Sequence, residues 1–306
     1  MRSARLSLIA AAVFATSVWL MAQQPPPPPQ QGAGRGQVAG APGRQGGGRG
    51  GGRGARTRKV VLAWADTRNG IAQHDSVSHA LAIVERLGYE SGLWDTFIRT
   101  DSNIISKTPL KTDGTPASGG PNLGMVDAIF YMGHRDVPID EKQKAELLSF
   151  VKDDGKGFVA AHVALTSFES WPEFGELLGA RFDGHPITGA GTIINENPSF
   201  PATKHFPASS EFNDEYYQPK EYSRDKIDVL LRLDLSKMAP NAALHQPNGD
   251  HPLAWAKMYG KGRVFFGSFA HDTRTWDIRD VQQLYFEAIK WSLGMTDAVP
   301  APHPMK

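Results

Sequence analysis

The stretch VDAIFYMGHRDVPIDEKQKAELLSFVKDDGKGFVAA, residues 126–161, decides the fold class. Val126 to Met132 is an almost unbroken apolar run of strand length, the composition of a strand covered on both faces. Asp140 to Val151 then reads as an amphipathic helix with Ala145, Leu148 and Val151 on one side. Gly155 and Gly157 end it, and Phe158 to Ala161 forms the next strand. Strand, helix and strand joined by short Gly turns imply parallel strands with right-handed crossovers. The expected fold is α/β: an open, doubly wound, mostly parallel sheet with helices on both faces.

The same alternation continues on either side. Lys59 to Trp64 (KVVLAW) reads as the first strand, followed by a polar loop from Asp66 to His74 with an Asn69-Gly70 turn. Ser76 to Leu87 carries Val77, Ala80, Leu81 and Val84 at helical spacing, and Gly88 is expected to cap that helix. Ser91 to Trp94 is the expected second strand, and Asp101 to Leu123 a loop. Toward the C-terminus, Thr192–Asn195, Val229–Leu233, Pro252–Tyr259 and Arg263–Phe269 read as strands. Gly260 and Gly262 sit in the turn between the last two, which adds an antiparallel hairpin to the sheet. Val281 to Leu293 closes the domain as a helix with Leu284, Ala288, Ile289 and Trp291 on its apolar face.

The N-terminal 58 residues differ in kind from the rest, for they contain no Asp or Glu. Arg2 and Arg5 precede an apolar run from Leu6 to Met21, and Ala22 follows it, the pattern of a secretory signal peptide. The run is shorter than the ~20 residues of a comfortable membrane span; an uncleaved anchor is the alternative. Residues 23–58 begin with a polyproline stretch, Pro25–Pro29, and continue as Gly with scattered Arg. Such a segment has little apolar area to set against backbone entropy, so a disordered linker is expected. The chain thus divides into 1–22 signal, 23–58 linker, 59–297 folded domain and 298–306 tail. After signal cleavage no membrane span is expected. The linker is a spacer, or a tether that touches anionic envelope polymers.

The formal charge of +1 conceals an asymmetry, since eight of 33 basic residues lie before residue 59 and all 32 acids after it. The folded part therefore holds 25 basic and 32 acidic residues, a net of −7. That balance argues against a nucleic-acid partner and suits a neutral small molecule. The chain has no cysteine, which removes disulfides, thiolate metal sites and any cysteine nucleophile.

Ligands of open α/β sheets bind at the carboxyl ends of the strands. Three of these ends carry histidine: His74 after the first strand, His162 after the fourth, and His271 beside Asp272 after the last. Two polar clusters, Gly184-His185-Pro186 and Asp214-Glu215-Tyr216-Tyr217, are read as loops on the same rim. Each has a plain structural reading too: a strand-ending histidine bonded to a carbonyl, a turn residue beside proline, a solvated acidic pair. Trp171 and Trp276 are core residues or platforms for a sugar ring. His74 and His79 lie about 140° apart around a helix, so they do not form a two-histidine metal pair. His134, His205, His245, His251 and His303 read as surface or structural. No G-x-S-x-G elbow, no G-x-G-x-x-G after the first strand and no phosphate loop is present. What remains is acid–base chemistry by His with Asp or Glu, with room for a divalent metal as cofactor.

Gly155–Ala164 (GKGFVAAHVA) followed by Trp171, Leu178–Pro186 (LGARFDGHP), Asp214-Glu215-Tyr216 and Pro252–Trp276 (PLAWAKMYGKGRVFFGSFAHDTRTW) together resemble the ThuA-like family, named for trehalose utilisation. The resemblance runs over roughly Lys59 to Gly294 and implies a flavodoxin-like fold of the glutamine-amidotransferase type. In true amidotransferases the turn after the equivalent strand carries a nucleophilic cysteine; here it carries His162, so amidotransferase chemistry is ruled out. The resemblance implies a role in sugar metabolism near 3-keto sugars. It carries over His162, His185, Asp214, Glu215 and His271 as the pocket, with His74 at its edge; those five are the expected catalytic residues, and His74, Trp171, Tyr216 and Trp276 are expected against the substrate. One departure is Ala180, where the family often has a second Gly before Phe182. The expected function is acid–base cleavage or transformation of a keto sugar or glycoside in the periplasm or outside the cell. The rivals are a non-catalytic carbohydrate-binding or scaffold domain, and a metal-dependent hydrolase of an unrelated small substrate.

Overall fold

The computed structural model describes residues 58–306; the expected signal peptide, 1–22, and all but the last residue of the expected linker, 23–58, lie outside these described residues. Among them a single nine-stranded sheet runs in the order β2-β1-β3-β4-β9-β8-β7-β5-β6. Its first half is β1 (Lys59–Trp64), β2 (Trp94–Arg99), β3 (Ala128–Tyr131), β4 (Gly157–Ala161) and β9 (Gly262–Gly267), all parallel. The second half is β8 (Pro252–Tyr259), β7 (Asp228–Leu233), β5 (Arg181–Asn195) and β6 (Ser209–Lys220), all antiparallel to their neighbours. The doubly wound sheet is as expected, and the antiparallel part extends beyond the β8–β9 hairpin to four strands.

The helices split between the two faces. On one, α1 (Ser76–Ser91), the single turn α4 (Thr273–Trp276) and α5 (Arg279–Ser292) bury Leu81, Val84, Leu284 and Ile289 against Val61, Phe130 and Phe265. On the other, α2 (Glu141–Lys152) and α3 (Pro172–Leu178) bury Leu147, Phe150 and Phe174 against Leu62, Trp64 and Phe158. Adjacent residues of β1 thus serve opposite cores, as the two-residue pleat requires. Each such side chain contributes on the order of 1.5–3 kcal/mol by leaving water.

The end of one helix and the buried face of another differ from expectation for identifiable reasons. Gly88 does not end α1; Gly92 does, in the left-handed conformation at φ 69°. Gly88 lies inside the helix because Trp94 packs on it, and a Cβ there would stand 2.3 Å from Trp94 Nε1. The second strand accordingly starts at Trp94, where the sequence reading had ended it. In α2 the buried face is Gln143, Leu147, Phe150 and Val151, while Ala145 is exposed. Gln143 turns inward because it closes a capping box with Asp140 and donates to the Ser102 carbonyl. Gly88→Val is expected to destabilise the domain by about 1–3 kcal/mol through overpacking against Trp94, read as a lower urea midpoint; an unchanged midpoint would contradict the close approach.

β5 and β6 form the largest departure. The reading gave only Thr192–Asn195 as strand and took 184–186 and 214–217 as loops; both lie in one long hairpin. Two bulges interrupt it, with Asp183 extra between Phe182 and Gly184, and His185-Pro186 together opposite Tyr217. Bulges re-aim side chains and sharpen twist, and a proline is tolerated at one because it has no N–H to give the ladder.

Candidate functional site

Four adjacent parallel strands end in a histidine-bearing segment on the same rim. β1 leads to His74, β3 to His134, β4 to His162 and β9 to His271. The β5–β6 hairpin supplies Glu215 and His185. Ring centroids of His74 and His271 are 4.9 Å apart, those of His74 and His162 5.4 Å, and those of His162 and His271 5.2 Å.

His162 is fully buried and holds φ 41°, a left-handed backbone uncommon outside glycine, at the sharp turn from β4 into a 3-10 segment. Its Nδ1–H donates to the Ser268 carbonyl at 2.7 Å, which leaves Nε2 a lone pair facing His271 Nδ1 at 3.1 Å and Glu215 Oε2 at 3.5 Å. The Tyr217 ring lies 4.2 Å from the His162 ring, and its hydroxyl is 3.5 Å from His74 Nε2.

Glu215 is the hub of the cluster. Its Oε2 is 3.1 Å from His271 Nδ1, and its Oε1 is 3.2 Å from His185 Nδ1. Burial pushes the Glu215 carboxyl up, but the His162 and His271 imidazoles beside it outweigh burial and hold it well below the usual range. The bond to Glu215 raises His271, against partial burial. Burial, followed by crowding from His162, His271 and His134, pushes His74 down to about 3.

Asp214 does not face this cluster. Its Oδ2 accepts from the Ala270 N–H at 2.7 Å, and its Oδ1 from the N–H groups of His271 and Glu215 at 3.1 and 3.0 Å. It thereby holds Ala270 at φ 81° and fixes the backbone that carries His271. Burial pushes its carboxyl up, against the nearby His162 and these three donors.

Trp171, Tyr216 and Trp276 stand in the core instead of lining an open cavity. Trp171 packs on Phe168 and Phe174, Tyr216 bonds the Phe212 carbonyl, and Trp276 stacks on Tyr285 while donating to the Ala270 carbonyl. Two residues of the cluster have no role of their own in the sequence reading. His134 sits edge-on to His74 at 5.2 Å and follows β3, so the strand-end rule that found its three neighbours would have found it. Tyr217 is named in the sequence only as the end of the Asp214-Glu215-Tyr216-Tyr217 cluster. A cavity of about 390 Å³ opens beside the histidines, lined by Ser167, Glu169, Arg181, Phe182, Asp183 and Lys220. It does not contain the imidazoles; Phe182 forms the wall between, 5.0 Å from Tyr217 and 5.9 Å from His185. Its volume falls in the range of small-ligand sites.

Among the described residues, His74, His162, Glu215 and His271 form the group that could hold a metal, each offering one ligand atom and all of these within 4.8 Å of one another. His251 lies behind the site, fully buried, with Nε2–H donating to the Tyr217 carbonyl. Burial pushes it down to about 4. Between its unfolded value near 6.5 and that value, the unfolded chain takes up a proton that the folded chain refuses. Stability from this group is complete above pH ~6.5 and falls by about 3 kcal/mol as pH drops toward 4. His251→Gln is expected to flatten the fall in urea midpoint between pH 7 and 5; parallel curves for the two proteins would reject this.

A mostly parallel sheet with an antiparallel extension and imidazoles on adjacent strand ends defines a flavodoxin-like fold. The chain belongs to the ThuA family, described as trehalose utilisation, whose model matches residues 60–292. Among solved structures, a ThuA-like protein from Bacteroides uniformis is 19% identical with a TM-score of 0.60, covering 80% of this chain and 95% of that one. A ThuA-like protein from Parabacteroides merdae is 17% identical with a TM-score of 0.59, covering 80% and 94%. At these identities the likeness shows the fold. A search of curated proteins gives no match. Among the described residues no helix is long and apolar enough to cross a membrane.

Proposed function

We propose that this protein is an exported enzyme of sugar metabolism that cleaves a 3-keto-glycoside by proton transfer. The observation that carries this reading is that one carboxylate, Glu215, holds two imidazoles, His271 on Oε2 and His185 on Oε1. The first is backed by buried His162; the second is more than half exposed.

The ketone acidifies the C–H between it and the anomeric carbon. His185 takes that proton, its orientation fixed by Glu215. His271, whose protonated form Glu215 favours, neutralises the negative charge that develops on the ketone oxygen. The C–O bond to the aglycone then breaks as a double bond forms between the anomeric carbon and its neighbour. His185 returns its proton to the departing oxygen. Water adds later to the unsaturated ketone. His162 has both nitrogens engaged inside the protein, which argues against it as the base, and ionised Glu215 is a poor proton donor. The signal-like start, Arg2 through Ala22, supports a periplasmic or secreted location. Incubation with a nitrophenyl 3-keto-glucoside tests the reading. Aglycone release is expected, and none with or without added divalent metal would sink it.

A further inference from the structure

We propose that His74, His162, Glu215 and His271 bind one divalent transition ion of the zinc or manganese kind. The four come from separate parts of the chain: the loop after β1, the end of β4, strand β6 and the loop after β9. Their convergence within 4.8 Å is therefore a product of the tertiary fold and not of local sequence. Ligands of a tetrahedral ion stand about 3.3 Å apart, given metal–nitrogen bonds near 2.0–2.1 Å. The His162–His271 and His271–Glu215 separations, both 3.1 Å, are already close to this.

The hydrogen-bond count points the same way. Because His162 spends its N–H on Ser268, its Nε2 and Glu215 Oε2 both present lone pairs to His271 Nδ1. One proton there serves two acceptors. A cation at the same place serves both of these atoms and the two imidazoles of His74 and His271.

Each ligand also has an outer partner of the kind that orients metal-binding groups. Ser268 fixes the tautomer of His162, and His185 holds the other oxygen of Glu215. Asp214 anchors the backbone of His271, and the Tyr217 hydroxyl stands 3.5 Å from His74. Three imidazoles and one carboxylate favour borderline first-row ions over magnesium and calcium, which prefer oxygen ligands throughout.

This site deepens the keto-sugar reading, and only the ion's role rests on it: the cation takes the place of the His271 proton and polarises the ketone. Binding itself is independent of substrate. The full chain, purified without a polyhistidine tag and stripped of metal, is titrated with Zn²⁺, Mn²⁺ and Co²⁺, with Mg²⁺ as the contrasting probe. One equivalent of a transition ion is expected, with Mg²⁺ weaker by on the order of 100-fold or more. Glu215→Gln and His162→Gln are expected to weaken binding on the order of 100-fold, while His205→Ala, outside the cluster, leaves it unchanged. If either ligand variant fails to fold, X-ray absorption of the Co²⁺-loaded wild type decides, three imidazole ligands being expected. No stoichiometric ion on the folded wild type, undiminished binding in Glu215→Gln, or fewer imidazoles would overturn the site. Aglycone release by the metal-free protein would overturn the ion's role in turnover, yet leave the site and the proton-transfer reading intact; a bound ion without release would leave the site and overturn that reading.

Discussion

His185→Ala is expected to lower aglycone release by about 10²–10⁴-fold, the usual contribution of a positioned acid–base group, while the folded protein is almost unaffected. The side chain is 54% exposed, so its removal opens no cavity, and surface changes of this kind stay within about ±0.5 kcal/mol. Its contact with Glu215 Oε1 depends on the bulge that sets His185 and Pro186 together opposite Tyr217. His185→Gln separates proton transfer from hydrogen bonding, because Gln can still donate to Glu215 but cannot take up and return a proton. Both variants are therefore expected to lose kcat alike, with exogenous imidazole restoring part of it to the alanine protein. A loss under tenfold, or a loss confined to KM, would move the proton transfer to another residue. The alanine variant should still bind the proposed metal ion, weakened by no more than the ~10-fold of a lost outer partner, since His185 touches only the carboxylate oxygen opposite the cation. That pairing of lost turnover with retained metal is what a catalytic His185 predicts and a structural one does not.

The parallel half of the sheet was legible because its signals are local. Val126–Met132 and Phe158–Ala161 are apolar runs of strand length, and Asp140 with Gln143 writes a capping box directly into the sequence. The β5–β6 hairpin was not legible over 181–191 and 209–220. Its residues there are mostly half-exposed or polar, and two bulges break the two-residue alternation that marks a strand. The carboxylate hub was taken for a loop for that reason, although Glu215 was named. Gly88 shows the opposite error: a glycine that reads as a stop signal is present because Trp94 needs its missing Cβ. Three strand-end histidines were found from topology alone. What the sequence could not supply was that one carboxylate joins them, since Glu215 lies 53 to 56 residues away from His162 and His271 along the chain and reaches them only through the antiparallel half.

Asp214→Ala is expected to be the most destabilising single change at the site, by about 3–5 kcal/mol. The carboxylate is nearly fully buried and accepts from three backbone N–H groups, those of Glu215, Ala270 and His271. Alanine strands all three donors, each worth roughly 1–3 kcal/mol when left without an acceptor. It also releases Ala270 from φ 81°, a backbone that a non-glycine residue keeps only when its surroundings over-determine it. The segment 268–271 keeps other anchors, namely Trp276 Nε1 on the Ala270 carbonyl and the Tyr285 hydroxyl on the Phe269 carbonyl, so it is expected to shift and not to melt. The shift carries His271 away from Glu215 and Ser268 away from His162, so activity and metal affinity fall together with stability. Asp214→Asn retains one acceptor oxygen and should lie between wild type and alanine, while Asp214→Ala combined with Ala270→Gly should recover part of the loss because glycine adopts positive φ freely. Urea unfolding of the four proteins gives the order directly. If alanine costs less than about 1 kcal/mol, or if glycine at 270 recovers nothing, the backbone of the His271 loop is held by something other than this carboxylate.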